Sequence, residues 1–163
     1  MWYLSSTPVI FAHRGASIEA PENTLPALQA AVESGAPAVE FDVKLTADGH
    51  VVVLHDQTVD RTTTGKGDLR SFSLKKLQEL DAGVKFSHLF QGTPVPTLAE
   101  VFEKIGGKIL MNIELTNYST PGDGLVPAVV DLIRQYHLDE FTPFSSFFSR
   151  NLQLAANLMP QVP

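Results

Sequence analysis

Short β-rich runs alternate along this chain with segments whose apolar residues recur at the helical period, a pattern that folds as α/β with a largely parallel sheet. Val9–Ala12 reads as a first strand. A helix follows from about Thr24 to Glu33, with Leu25, Leu28 and Val32 at helical spacing and Gly35 as its stop. Ala38–Val43 and Val51–His55 are the next two strands, and Thr97 with Glu100 makes a capping box for a helix with Leu98, Val101, Phe102 and Ile105 on its apolar face. Lys108–Leu115 is a fourth strand. A helix carrying Val126, Val129, Val130 and Ile133 leads to a fifth strand over Phe141–Phe147. A last helix begins near Ser149, shows Leu152, Ala155, Ala156 and Met159 on one face, and stops at Pro160.

The rhythm breaks twice. Residues 43–50 are too few to hold a crossover helix, and Asp48-Gly49 is a tight-turn signal. A hairpin centred there would put Asp42 opposite His55; an extended return would leave the two at neighbouring strand ends. Residues 57–96, with a loop at Thr62–Gly67, a short helix at Leu74–Leu80 and an extended exit at Pro94 and Pro96, read as an inserted subdomain. With 163 residues and 44% hydrophobic content, the chain is otherwise one domain, 1–163, with a real core.

Strand parity places the chemistry. Residues two apart share a face, so Glu40 and Asp42 point one way, as do Asn112 and Glu114, and as do Val51, Val53 and His55. All lie toward the C-terminal ends of their strands, where sites gather in parallel α/β folds. Glu40, Asp42 and Glu114 can then converge as oxygen ligands for Mg²⁺ or Ca²⁺. His13 and His55 stand beside them as an acid/base pair; zinc would draw both histidines into ligation and leave no such pair. Glu114 in an apolar strand needs an ion or a basic partner. Asn23 and Thr24 read as helix N-caps with a secondary role in shaping the site, and Glu22 as serving either job. Asp56, Asp60 and Arg61 read as loop and network residues, His50, His88 and His137 as surface or packing histidines, and Phe144, Phe147 and Phe148 as core and barrel wall.

The strings Ala12-His13-Arg14-Gly15, Pro21-Glu22-Asn23-Thr24, Glu40-Phe41-Asp42-Val43, Leu45-Thr46-Ala47-Asp48-Gly49, His55-Asp56 and Asn112-Ile113-Glu114-Leu115 occur in order, and the chain that carries them resembles the glycerophosphodiester phosphodiesterase family. The resemblance implies a TIM-type β/α barrel that hydrolyses glycerophosphodiesters to glycerol 3-phosphate and an alcohol with one divalent cation, Mg²⁺ or Ca²⁺, with Mn²⁺ as a substitute. It also implies that His13 and His55 are the catalytic pair, Arg14 a phosphate contact, and Glu40, Asp42 and Glu114 the metal ligands. Two features depart from the family pattern. Thr116 stands where the family often has a lysine, and about five strands are counted where a barrel of about 250 residues has eight. The expectation is therefore a barrel truncated after about five strands, with a small insertion after the third and with open edges that invite self-association. Two other readings stand beside the leading one: a lysophospholipase D-like enzyme acting on lipids, and a non-catalytic barrel remnant that binds phosphate or a partner.

Composition removes other classes. The chain has no cysteine, which excludes disulfides and thiolate zinc sites, and its net charge of −6 argues against a nucleic-acid surface. Met1–Pro8 lacks a signal peptide's basic start and apolar stretch, and no run of about 18 apolar residues offers membrane insertion. The expected setting is soluble and cytoplasmic, with a small glycerophosphodiester as the binding partner.

Overall fold

A computed structural model describes residues 8–162; the leader question posed by Met1–Thr7 lies outside them. The β/α barrel architecture is present as an open arc. Strands β1 (Phe11–His13), β2 (Ala38–Leu45), β4 (Leu110–Leu115) and β5 (Phe144–Ser145) lie side by side in that order, every neighbouring pair parallel. The remaining strand, β3 (Val51–Val53), pairs antiparallel with the end of β2. Helices α1 (Leu25–Glu33), α3 (Leu98–Ile105), α4 (Leu125–Tyr136) and α5 (Ser149–Leu158) make up the helical layer, and α2 (Leu74–Leu77) is a single turn within the irregular segment.

The helix signals act through identifiable groups. Pro26 sits in the first turn of α1, where its fixed φ suits the helix and its missing N–H costs nothing. Thr97 and Glu100 form the full capping box of α3. The odd-numbered residues of β2, Val39, Phe41, Val43 and Leu45, pack with Met111, Ile113 and Leu115 of β4 against Leu28, Leu98, Val101, Val129 and Ile133. Period-2 alternation then turns Glu40, Asp42, Asn112 and Glu114 to the opposite face, toward the barrel axis. The segment after β3 gathers a second cluster of Val59, Leu69, Leu77, Ala82 and Val95 against Val52 and Leu54.

Several boundaries differ from the sequence reading. The β2–β3 connection is the hairpin, but it pairs Val43 with Val53 and Leu45 with Val51, so the Leu54 N–H donates to the Asp42 carbonyl at 3.0 Å and His55 lies beyond the strand. The cause is a three-residue loop, Ala47–Gly49, in place of a two-residue turn; Gly49 closes it at φ +81°. Regular pairing of β5 covers only Phe144–Ser145, although the Phe141 and Pro143 carbonyls also accept from Met111 and Ile113. Phe147 is 86% exposed, contrary to its reading as core. On α5 the buried positions are Asn151 and Ala155, while Leu152 and Ala156 are exposed. Asn151 turns inward because its amide donates to the Asn117 side chain, the Leu115 carbonyl and the Ser146 hydroxyl.

β1 is short for a reason that shapes the site. After His13 the backbone enters the left-handed region at Arg14 (φ +59°) and Gly15 (φ +85°), which peels the chain away from β2. Gly15 is pressed against α1, where a Cβ would come 2.7 Å from the Ala27 carbonyl carbon. Gly15→Ala combines that clash with an unfavourable φ, so we expect a loss of about 2 kcal/mol or more, measured by denaturant unfolding. A loss within about 0.5 kcal/mol, the range of a neutral surface change, would show that the turn is not locked against α1.

Candidate active site

Parallel register converts three separate sequence positions into one cluster. Asp42 on β2 is directly beside Glu114 on β4, and Glu40 lies two residues back on the same face of β2. One carboxylate oxygen from each residue falls within 4.8 Å of the others. Glu40 and Asp42 are 7% and 1% exposed, so their repulsion is poorly screened by water. Burial, and then the charge of Asp42, pushes the Glu40 carboxyl up to about 7; Asp42 is also raised, chiefly by burial. Glu40 Oε1 and Asp42 Oδ1 are buried without a hydrogen-bond partner. Unsatisfied buried acceptors are rare, and a set made wholly of oxygens fits a hard divalent cation.

Asn112, on the same face, does not join them. Its amide donates to the Ser145 hydroxyl at 2.9 Å.

The edge of β2 vacated by β1 is filled side chain by side chain. The Arg14 N–H donates to the Glu40 carbonyl at 2.8 Å and also faces Glu40 Oε2 at 3.1 Å. Farther along, Asn23 donates to Asp42 Oδ2 at 2.9 Å and receives the Asp42 N–H at 3.4 Å, before Leu54 takes up the ladder. Asn23 is thus a buried clamp on a carboxylate, and its reading as an N-cap is corrected. It sits at φ +56°, which asparagine tolerates better than most residues, and Thr24 occupies the extended N-cap position. The Thr24 hydroxyl donates to the Pro21 carbonyl and makes no side-chain cap.

Arg14 lies 3.5 Å from Asp42 Oδ2 through Nε and donates from Nη1 to Glu22 at 2.9 Å. His13, with its side chain 67% exposed, places Nε2 3.7 Å from Glu40 Oε2. His55 reaches the same region from the loop after β3, its Nδ1 2.7 Å from Asp56 Oδ1. Arg61, followed by the bond to His55, holds the Asp56 carboxyl down to about 2. An ionised carboxylate can only accept, so the proton of this bond belongs to Nδ1 and Nε2 is left for proton exchange. His50, His88 and His137 are exposed, in keeping with their reading as surface histidines.

Lys44 and Tyr118 escaped the sequence reading. Lys44, next after Asp42 on the polar face of β2, donates from Nζ to the Thr116 carbonyl and lies 5.9 Å from the centre of the Tyr118 ring. An ammonium is therefore held on the backbone of Thr116, whose own hydroxyl turns to the Val43 carbonyl. Burial lowers the pKa of Lys44. The Tyr118 hydroxyl donates to Glu114 Oε1 at 2.7 Å and is pushed up to about 12, mainly by burial, so it stays protonated. The i+2 spacing from Asp42 could have revealed Lys44; nothing local could have revealed Tyr118, whose bond depends on how the loop after β4 turns back.

Residues 13–160 match the profile of the Glycerophosphoryl diester phosphodiesterase family. A glycerophosphodiester phosphodiesterase of Caldanaerobacter subterraneus is 43% identical over 94% of this chain and 64% of its own length. One from Bacillus altitudinis is 36% identical over 94% and 63%. Among solved structures, a glycerophosphodiester phosphodiesterase of Agrobacterium tumefaciens superposes with a TM-score of 0.85 at 34% identity, covering 96% of this chain and 65% of that one. A phosphodiesterase of Oleispira antarctica, in complex with the product sn-glycerol 3-phosphate, gives 0.86 at 37% identity over 95% and 64%. The chain thus spans somewhat under two thirds of the length of these relatives.

The raised pKa of Glu40 has a direction that can be measured. Because the folded value of about 7 exceeds the ordinary 4.5, the folded chain holds a proton that the unfolded chain has released. The stability this confers is fully present below about pH 4.5 and is lost as pH rises through about 7. With chelator present, the melting temperature of the native protein should fall relative to that of Glu40→Gln between about pH 5 and about pH 8. Parallel melting curves across that window would contradict the crowding of the carboxylates.

Proposed function

The chain belongs to the Glycerophosphoryl diester phosphodiesterase family, and on that premise we propose that it hydrolyses glycerophosphodiesters to glycerol 3-phosphate and an alcohol, with His13 and His55 as the acid/base pair. The observation that carries this reading is the cluster of Glu40, Asp42 and Glu114, with two orphaned buried oxygens, beside the imidazoles of His13 at the end of β1 and His55 in the loop after β3. The Oleispira relative's complex with sn-glycerol 3-phosphate supports the choice of product.

The three carboxylates would hold one divalent cation, and their oxygen-only chemistry favours Mg²⁺ or Ca²⁺, with Mn²⁺ as a substitute. When bound, that ion supplies positive charge for the non-bridging oxygens of the phosphodiester. Arg14 adds a guanidinium whose planar fork suits two phosphate oxygens, and Lys44 adds charge from the next position on the same strand face. One imidazole takes the proton of the attacking hydroxyl, from water or from the neighbouring glycerol; the other protonates the departing alkoxide. His55 enters with Nδ1–H fixed on Asp56, so Nε2 is its working atom. Residues 57–96 act in this reading as an inserted subdomain that brings Arg61 to the histidine loop.

The test is release of glycerol 3-phosphate from glycerophosphocholine, with chelator and with each metal added back. Activity should vanish in chelator and return with Mg²⁺, Ca²⁺ or Mn²⁺. His13→Ala and His55→Ala should each lower turnover by roughly 10² to 10⁴ with little change in melting temperature. Turnover that survives exhaustive chelation would reject the cation; near-native turnover in both histidine variants would reject the catalytic pair.

A further inference from the structure

A single guanidinium joins the loop that carries His55 to the loop that follows β1. Arg61 comes from the irregular segment after β3, and its side chain is 46% exposed; a lone ion pair at such a site ordinarily contributes little. Here the side chain makes four hydrogen bonds to two carboxylates. Nε and Nη2 donate to Asp56 at 2.7 and 3.0 Å. Nη1 and Nη2 donate to Glu22 at 2.7 and 2.8 Å. Each carboxylate is also tied to a functional side chain, Asp56 to His55 Nδ1 at 2.7 Å and Glu22 to Arg14 Nη1 at 2.9 Å. The result is a chain of alternating charge, Arg14–Glu22–Arg61–Asp56–His55, between the end of β1 and the loop after β3.

Such a chain does more than add attraction. A doubly bidentate guanidinium fixes the angle between its two carboxylates as well as their distance, which a point-charge ammonium cannot do. Asp56 would otherwise be free to rotate, and with it the hydrogen bond that selects the His55 tautomer. Glu22 would likewise lose one of the two arginines that orient it. The histidine and the arginine that the proposed reaction needs are thus held in mutual register through one side chain that binds a carboxylate beside each.

We infer that Arg61 is a positioning residue, which fixes the tautomer of His55 through Asp56 and the placement of Arg14 through Glu22. The part that concerns turnover rests on the proposed function; the part that concerns the tautomer does not. Arg61→Met should lower kcat/KM for glycerophosphocholine about 10- to 100-fold, the usual cost of losing a partner that orients a functional side chain. Arg61→Lys, which keeps the charge and loses the fork, should recover only a small part. In the double variant Arg61→Met with Asp56→Asn the combined loss should fall short of the product of the single losses, because the Asp56–His55 arm is common to both. Imidazole ¹⁵N spectra should show the Nδ1–H tautomer of His55 in the native protein and a mixture in Arg61→Met, with or without added Mg²⁺. If the methionine variant does not fold, the lysine variant provides the same spectral comparison and should also show a mixture. An unchanged His55 tautomer in the folded variants, or losses that multiply, would overturn the inference. A native protein with no phosphodiesterase turnover would defeat the proposed reaction, and the spectra would still decide the positioning role.

Discussion

Repulsion among Glu40, Asp42 and Glu114 is the constraint on which the rest of the site depends. Carboxylate oxygens within 4.8 Å of one another on a nearly dry sheet face cannot all ionise at low cost unless positive charge is supplied. The fold creates this problem through the parallel pairing of β2 with β4, which sets Asp42 beside Glu114 and leaves no freedom to separate them. It also limits the damage. Asn23 holds one Asp42 oxygen and Tyr118 one Glu114 oxygen, while Glu40 Oε1 and Asp42 Oδ1 have no hydrogen-bond partner and face the proposed cation.

Around that centre, positive groups are placed so that they orient rather than neutralise. Arg14 Nε lies 3.5 Å from Asp42 Oδ2 without hydrogen-bonding to it, while Nη1 donates to Glu22. Lys44 is anchored on the Thr116 carbonyl. Both cations stand beside the carboxylate cluster, where the proposed reaction would need them for an anionic phosphodiester. The short β1 makes this arrangement accessible: departure of the chain at Arg14 and Gly15 opens the edge of β2 to Asn23 and then to β3.

Much of this was legible in the sequence because it depends on local period. The alternation of β2, with Val39, Phe41 and Val43 against Glu40 and Asp42, assigns its faces without knowledge of any neighbour, and the capping box at Thr97 and Glu100 marks the start of α3. The hairpin register was off by one pair because a two-residue and a three-residue loop carry the same Asp48-Gly49 signal. Asn23 was read as a cap because its short-range preferences are the same whether its amide meets a helix N-terminus or a carboxylate 19 residues away. Arg61 was read as a network residue without its partners and Tyr118 was not singled out, because those partners are set by how irregular loops close, where period carries no information. The family strings marked His13, His55 and the three carboxylates, but the bonds that orient them come mainly from residues outside that set.

In the proposed site the three carboxylates hold one hard divalent cation while both histidines stay outside it. Anomalous diffraction from crystals grown with Mn²⁺ tests this most directly. The account predicts one strong peak bound by oxygens of Glu40, Asp42 and Glu114 at about 2.0 to 2.6 Å, the range for hard cations on oxygen, with Glu40 Oε1 and Asp42 Oδ1 among the ligands and His13 and His55 unligated. A peak bound through either imidazole, or a fully loaded crystal with no density between the carboxylates, would contradict it.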